Sequence, residues 1–497
     1  MSLISSIYFI IFLPLISSLF CHLFRKKIIS FWIVIFSLLS LCFLLLKNFP
    51  DILQKEILSN DFHLSLISTA LEFKFDVVGV IFLFLLLFLE SIIFLSFFPD
   101  FRKFLDDKKG RIFYSVFLLQ IFSLVGICTS NNLLNLFVFF EIYAFSFFAI
   151  FSIFRDEELL KLLFRYFCLN AVASLLILFC FLAIYLIFGE VNLDRIHDNL
   201  ALISSEYSWF LAIIFALLAA AFFIKFFPFW FYFKNLQNSN VINGFLNADL
   251  LFIKVTIGIF LAIKFTYFFF GRNLVFDDFA LTPLVIFSSI ALICYSSFKL
   301  YQQRHLKLIA VYFCFNNLGF IFACLALQSL QSLQALFFYL LNFVSINLLI
   351  FVFAAFLKKN FSTSSISKIQ LINKHHPFLL LPLKFLTFFI LALPLTILFF
   401  ANWYLAYASF SFGLEAFLLL AIITANFSYV SLAIKLLTSF LTKNSADQKQ
   451  QIFGFKKDQF YLILFWFLIV MIFTSFFAAN FVNLLSLKFA SFLLSVL

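Results

Sequence analysis

About fourteen apolar stretches, most of them roughly 20 residues long, recur along the 497-residue chain, each bounded by a short polar or charged loop. A run of that length crosses the ~30 Å hydrocarbon core as one helix. In lipid every backbone N–H and C=O must be satisfied inside the protein, so the recurrence predicts an all-α polytopic membrane protein. The expected spans are 3–22, 29–47, 77–98, 112–128, 133–154, 163–188, 207–233, 243–270, 279–299, 306–327, 331–357, 378–410, 414–440 and 459–481. Strand alternation is read as absent throughout, which excludes a membrane barrel. With 65% hydrophobic and 11% charged residues, no soluble class accommodates the chain.

The formal charge of +11 invites a nucleic-acid reading, but the basic residues sit mainly in alternate short loops. Arg25/Lys26/Lys27, Arg102/Lys103/Lys108/Lys109/Arg111, Lys299/Arg304/Lys307, Lys358/Lys359/Lys368/Lys374 and Lys443/Lys449/Lys456/Lys457 share one side. The intervening loops are neutral or acidic, with Asp51/Glu56/Asp61 and Glu190/Asp194/Asp198. Positive-inside topology then places both termini outside a cell (inner) membrane and predicts no nucleic-acid partner. Ser2 to Phe20 lacks a basic n-region and a small-residue cleavage site, and is expected to remain as the first span. The eight cysteines have no CxxC spacing and read as small buried apolar residues, with no metal site. No loop accommodates a catalytic domain, and no phosphate cradle or nucleophile elbow occurs. The 88 phenylalanines against 10 glycines suit codon drift in an AT-rich genome, and no function is drawn from them.

Charges inside the spans carry the functional information. A carboxylate or amine at the bilayer centre costs about 2.5–3.5 kcal/mol on insertion scales, so it is retained for a partner or a task. Six side chains qualify: Glu90, Glu141, Lys225, Asp249, Lys254 and Lys384. Lys264 and Lys435 lie near span ends and are expected to snorkel to the surface, as is Lys384. Glu141 interrupts LLNLFVFFEIYAFSFFAIFSIF near its middle. Lys225 precedes Pro228 by three residues, where a missing backbone donor frees carbonyls and kinks the span beside a charge. Asp249 and Lys254 are five residues apart, about 140° round an α-helix, which predicts different neighbours for the two. A second break falls at Pro394, near Asn402, which carries no charge. Buried amines and carboxylates that alter one another's proton affinity are what a proton relay requires; the plainer alternatives are a kinked helix and a structural ion pair.

Several of these segments resemble one family over nearly the whole chain. FKFDVVGVIFLF from Phe73, NNLLNLFVFFEI, LKLIAVYFCFNNLGFIF from Leu306, QALFFYLLNFVSIN from Gln334 and LALPLT are similar to the third, fifth, tenth, eleventh and broken twelfth spans of the antiporter-like membrane subunits. These subunits are shared by respiratory complex I (NADH:quinone oxidoreductase) and Mrp-type sodium/proton antiporters. The resemblance implies two inverted five-helix repeats with discontinuous spans 7 and 12, no redox cofactor, and other membrane subunits as partners. It implies residues 1–100 as spans 1–3, 101–270 as the first repeat, 271–441 as the second, and 442–497 as linker, span 14 and an apolar tail that can lie along the membrane surface. It assigns the proton relay to Glu141, Lys225 and Lys254, with Asp249, Glu90 and Asn402 as accessory positions. The 84 residues from Glu141 to Lys225 fit the family's layout.

Three departures qualify the expectation. PFWFYFKNLQ replaces the family's HxWLPD-type stretch, with Lys225 closer than usual to Pro228; the motif around Lys254 is loose; and Asn402 stands where the family places a lysine or glutamate. Two functions are therefore carried forward: a subunit that translocates protons, or protons in exchange for Na+, and a paralogue retained for assembly without a complete path. A stand-alone transporter of an organic solute is a weaker third reading, for want of a polar cavity signature. The wording LFVFFEI leans towards Mrp-type members, whereas the eleventh span, with Ile346 and Asn347, leans towards complex I.

Overall fold

The protein is described from a computed structural model, which covers residues 3–24, 26–55, 57–62, 71–154, 157–227, 241–271, 275, 281–361, 364–366, 369, 377–394, 396–410, 415–441 and 479–495. Pro228, the polar linker and most of the fourteenth expected span lie outside the described residues. Among the described residues, eleven helices are long and apolar enough to cross a membrane, and Tyr8–Leu23, Ile397–Phe410 and Asn480–Ser495 are shorter apolar helices. This is a multi-pass helical membrane protein. It divides into two compact units, Met1–Phe279 with Val496–Leu497, and Ala280–Ser495.

The first unit contains α1 (Leu3–Leu23), α2 (Lys27–Lys55), α3 (Val77–Phe104), α4 (Asp107–Thr129), α5 (Leu133–Ser152), α6 (Glu157–Phe188) and α7 (Leu193–Phe226). A continuous last helix follows as α8 (Val241–Ala248), the π-segment Asp249–Lys254, α9 (Val255–Ile263) and the π-segment Lys264–Phe269. Strand structure is present after all: β1 (Ile57–Phe62) pairs antiparallel with β2 (Leu71–Asp76). In LEFKFD, Phe73 and Phe75 are buried while Glu72 and Lys74 are only partly covered, a period-two pattern hidden at the mouth of an apolar span.

The helix starts are fixed by side-chain caps. Asp76 accepts from the Gly79 N–H at the start of α3, and Asn132 and Asn192 cap α5 and α7. The last two entrances are tied together, since the Leu133 N–H donates to the Val191 carbonyl and the Leu193 N–H to the Asn131 carbonyl, both at 2.9 Å. Close approach of α4 to α5 depends on Gly126, where a Cβ would lie 2.2 Å from the Phe139 ring.

The second unit contains α10 (Thr282–Gln302), α11 (Leu306–Leu327), α12 (Leu330–Asn342), a π-segment (Phe343–Asn347), α13 (Leu348–Phe361), α14 (Pro377–Ile390), α15 (Ile397–Phe410), α16 (Glu415–Leu441) and α17 (Ala479–Ser495). Helix is interrupted between Ile390 and Ile397, where Ala392 takes φ of 51° and Pro394 supplies no N–H. The apolar tail forms α17, which packs on α12, burying Phe489, Phe492 and Leu493, and Asn483 accepts a 2.9 Å hydrogen bond from Tyr404.

Candidate functional site

The charged residues singled out in the first half of the sequence meet inside the first unit. Lys225 occupies the last turn of α7, a favourable place for a cation at the negative end of the helix dipole. Its Nζ donates to Glu141 Oε1 at 2.8 Å and to Ser174 Oγ at 2.6 Å, and Ser174 in turn donates to the same carboxylate oxygen at 2.7 Å. Lys225 is 2% exposed and Glu141 26%. The pair is thus sealed on its cationic side and open on its anionic side. The helix ends at Phe226, so the Lys225 carbonyl, in its last turn, has no intrahelical partner to expect. The Tyr166 hydroxyl satisfies that carbonyl at 3.0 Å.

The same hydroxyl accepts from Lys254 Nζ at 2.6 Å. The ammonium also lies over the Phe147 and Tyr166 rings, 3.8 Å and 4.3 Å from their centroids, where the ring faces favour a cation. Tyr166 therefore touches both lysines, one through its backbone and one through its amine.

Asp249 and Lys254 form no direct ion pair and hydrogen-bond to different neighbours, as the spacing implies, Lys254 to Tyr166 and Asp249 to other side chains. Residues 249–254 form a π-segment, and Lys254 acts on Asp249 only electrostatically. Asp249 further accepts from Gln120 at 2.8 Å and Tyr143 at 3.1 Å. Gln120 also reaches Glu90 Oε1 at 3.4 Å. Ser174, Tyr166, Tyr143 and Gln120 were not picked out from the sequence. Gln120 and Ser174 stood as polar interruptions in apolar runs, whereas the two tyrosines gave no signal distinguishing them from packing residues.

Lys264 does not snorkel. It is buried, donates to the Ser130 carbonyl at the C-terminal end of α4, and interacts with Asp76. Burial pushes the Asp76 carboxyl above the ordinary carboxylate range, against the opposing pull of Lys264, the Gly79 N–H and Lys74. Lys74 in turn pairs with Asp194 at 2.7 Å. Lys384 is exposed, and Lys435 donates to the Tyr301 and Gln303 carbonyls.

In the second unit Asn402 joins a neutral network. Tyr339 donates to its Oδ1 at 2.6 Å, and its Nδ2 donates to Asn426 at 3.3 Å. Nearby in the same unit Asn316 donates to Ser297 at 2.9 Å and accepts from Tyr429, and Asn342 donates to Asn317 at 2.8 Å. Among the described residues of this unit, Lys307 is the only buried amine or carboxylate. No group of three His, Cys, Asp or Glu side chains able to hold a metal occurs among the described residues.

A helical membrane protein in which one Lys225–Glu141 ion pair is linked through Tyr166 to a second buried lysine is the class this geometry defines. The chain belongs to the NADH:quinone oxidoreductase/Mrp antiporter transmembrane family, whose model matches residues 130–428, more than half of its length. It is 27% identical over 304 residues to NADH-quinone oxidoreductase subunit N of Pelagibacter ubique, covering 60% of this chain and 62% of that one. It is 25% identical to antiporter subunit mnhD2 of Staphylococcus haemolyticus, over 50% and 48% of the two chains. The chain thus spans about half to three fifths of the length of these relatives. Among solved structures, a chain of the Mrp complex from Dietzia sp. DQ12-45-1b has the same fold, with a TM-score of 0.80, 15% identity, and coverage of 99% of this chain and 97% of that one.

Proposed function

We propose that the chain is a proton-translocating subunit of a multi-subunit membrane complex of the complex I or Mrp type, in which a proton passes along Glu141, Lys225 and Lys254. The single observation that carries this is the shared Tyr166 hydroxyl, which links the Glu141–Ser174–Lys225 cluster to Lys254. Moving one proton in such a buried set of charges unbalances it and changes the proton affinity of the next group. Tyr166 contacts the Lys225 carbonyl, not its ammonium, so passage from amine to amine needs a water molecule between them. The carried ion is H+, with Na+ as the exchanged cation if the complex is of the Mrp type.

In this reading the chain has fourteen spans and two inverted five-helix repeats, residues 101–270 and 271–441, broken at spans 7 and 12. Residues 1–100 supply spans 1–3 and 442–497 the linker, last span and tail. Both termini face the outside of a cell (inner) membrane, and the partners are other membrane subunits. Glu141→Gln and Lys225→Ala are each expected to abolish proton-coupled transport in vesicles while the complex still assembles. Normal transport by both variants would sink the assignment.

The neutral surroundings of Asn402 favour one second reading, an assembly subunit without a complete path. It would prevail if deletion of the chain dismantled the complex while Glu141→Gln left ion flux unchanged.

A further inference from the structure

Glu90 lies on α3, on none of the helices that carry Glu141, Lys225 or Lys254. It is fully buried, and one of its two carboxyl oxygens, Oε2, has no hydrogen-bond partner among the described residues. The other oxygen shares a single donor group with a second carboxylate: Gln120 Nε2 donates to Glu90 Oε1 at 3.4 Å and to Asp249 Oδ1 at 2.8 Å. The shorter bond goes to Asp249, which also has the Tyr143 hydroxyl and the charge of Lys254.

Charge counting then separates the two acids. Lys225 is matched by Glu141 in a direct ion pair, and the cation that acts on Asp249, without touching it, is Lys254. That leaves Glu90 without a counter-ion: its electrostatic neighbours among the described residues are Asp249 and Tyr143, neither of them a cation. An ionised carboxylate in that position would be buried, unpaired, half unbonded and beside a like charge, each of which disfavours it. A carboxylic acid suits the same surroundings. Its carbonyl oxygen accepts the long Gln120 bond, and its hydroxyl, on Oε2, is the group left to donate.

We propose that Glu90 is an additional proton-loading site, a neutral acid coupled through the Gln120 amide to Asp249, so that the two carboxyls hold one proton and one charge between them. The inference rests on the relay reading above and extends it by a branch on α3. When the Lys254 ammonium gives up its proton, the Asp249 charge loses its partner. The O–H bond at Glu90 then breaks and a new one forms on Asp249, the proton crossing through one water molecule hydrogen-bonded to Oε2. The negative charge moves to Glu90 until a proton returns.

The test is difference infrared spectroscopy of the assembled complex in lipid, combined with proton transport in vesicles. Glu90→Gln, nearly isosteric with the neutral acid, is expected to remove one C=O stretch of a protonated carboxylic acid and to slow transport by tenfold or more, with assembly unchanged. Gln120→Leu is expected to keep that band but shift its frequency, since the amide no longer bonds the acid. No band lost in Glu90→Gln would show that Glu90 is ionised and overturn the proposal. Transport unchanged in Glu90→Gln but abolished in Lys225→Ala would overturn the loading role and leave the relay standing. Normal transport in Lys225→Ala would remove both.

Discussion

Tyr166 decides whether the Lys225–Glu141 ion pair and Lys254 behave as one site. Its hydroxyl donates to a carbonyl that the end of α7 leaves free and accepts from the Lys254 ammonium. Hydrogen bonds to charged groups contribute about 1.5–3 kcal/mol, and each 1.4 kcal/mol or so is a factor of ten in rate. Tyr166→Phe is therefore expected to slow proton transport about tenfold or more while the amount of assembled complex is unchanged; an unaltered rate would reduce Tyr166 to packing. Asn402 belongs to the same scale with the opposite expectation. Asn402→Leu strands the buried Tyr339 hydroxyl and the Asn426 amide, and an unsatisfied buried group costs about 1–3 kcal/mol. A lowered melting temperature of the purified protein is expected, with the Glu141 and Lys225 cluster undisturbed. Transport lost at unchanged stability would instead place Asn402 on the ion path.

Helices supply what single residues cannot, namely a register. The π-segment at 249–254 carries Asp249 at its start and Lys254 at its end, each held by contacts from other helices. A further π-segment, at 343–347, follows Asn342 and ends on Asn347, amides where the first has charges. The packing of α4 on α5, which carries Glu141, depends on a missing side chain. Gly126→Ala drives a methyl group into the Phe139 ring, and overpacking of that kind costs about 1–3 kcal/mol. Thermal unfolding in detergent should show the loss; an unchanged midpoint would mean that the two helices have room to separate.

At the scale of the molecule the two units divide polar chemistry unevenly. Among the described residues, the first holds six buried acids and lysines, Asp76, Glu90, Lys225, Asp249, Lys254 and Lys264; the second has Lys307 alongside its asparagines, serines and tyrosines. The Asn347 amide is fully buried, and neither of its polar atoms has a partner among the described residues. The amides around Asn402 conduct protons through water or not at all, since no amide changes charge at ordinary pH. Intact assembly with graded transport across the variants above is what a working first unit requires, whatever the second contributes.

Sequence alone determined the class, because twenty-residue apolar runs leave a backbone no solution in lipid but the helix, and because a buried charge is too costly to be accidental. It also picked out Glu141, Lys225 and Lys254, which an apolar background makes visible. It did not reveal Ser174, Tyr166, Tyr143 and Gln120, since a hydroxyl or amide within a span is common and its meaning lies in which neighbour it meets. The alternation in LEFKFD was concealed by the apolar run it leads into, and Lys264 was misread because distance from a span end says nothing about what a lysine is packed against. Only the tertiary structure decided that Gln120 reaches both Asp249 and Glu90, that Tyr166 joins the two lysines, and that Glu90 is the acid left without a counter-ion. Each of these depends on the angle and distance between helices, and a linear pattern of residues carries neither.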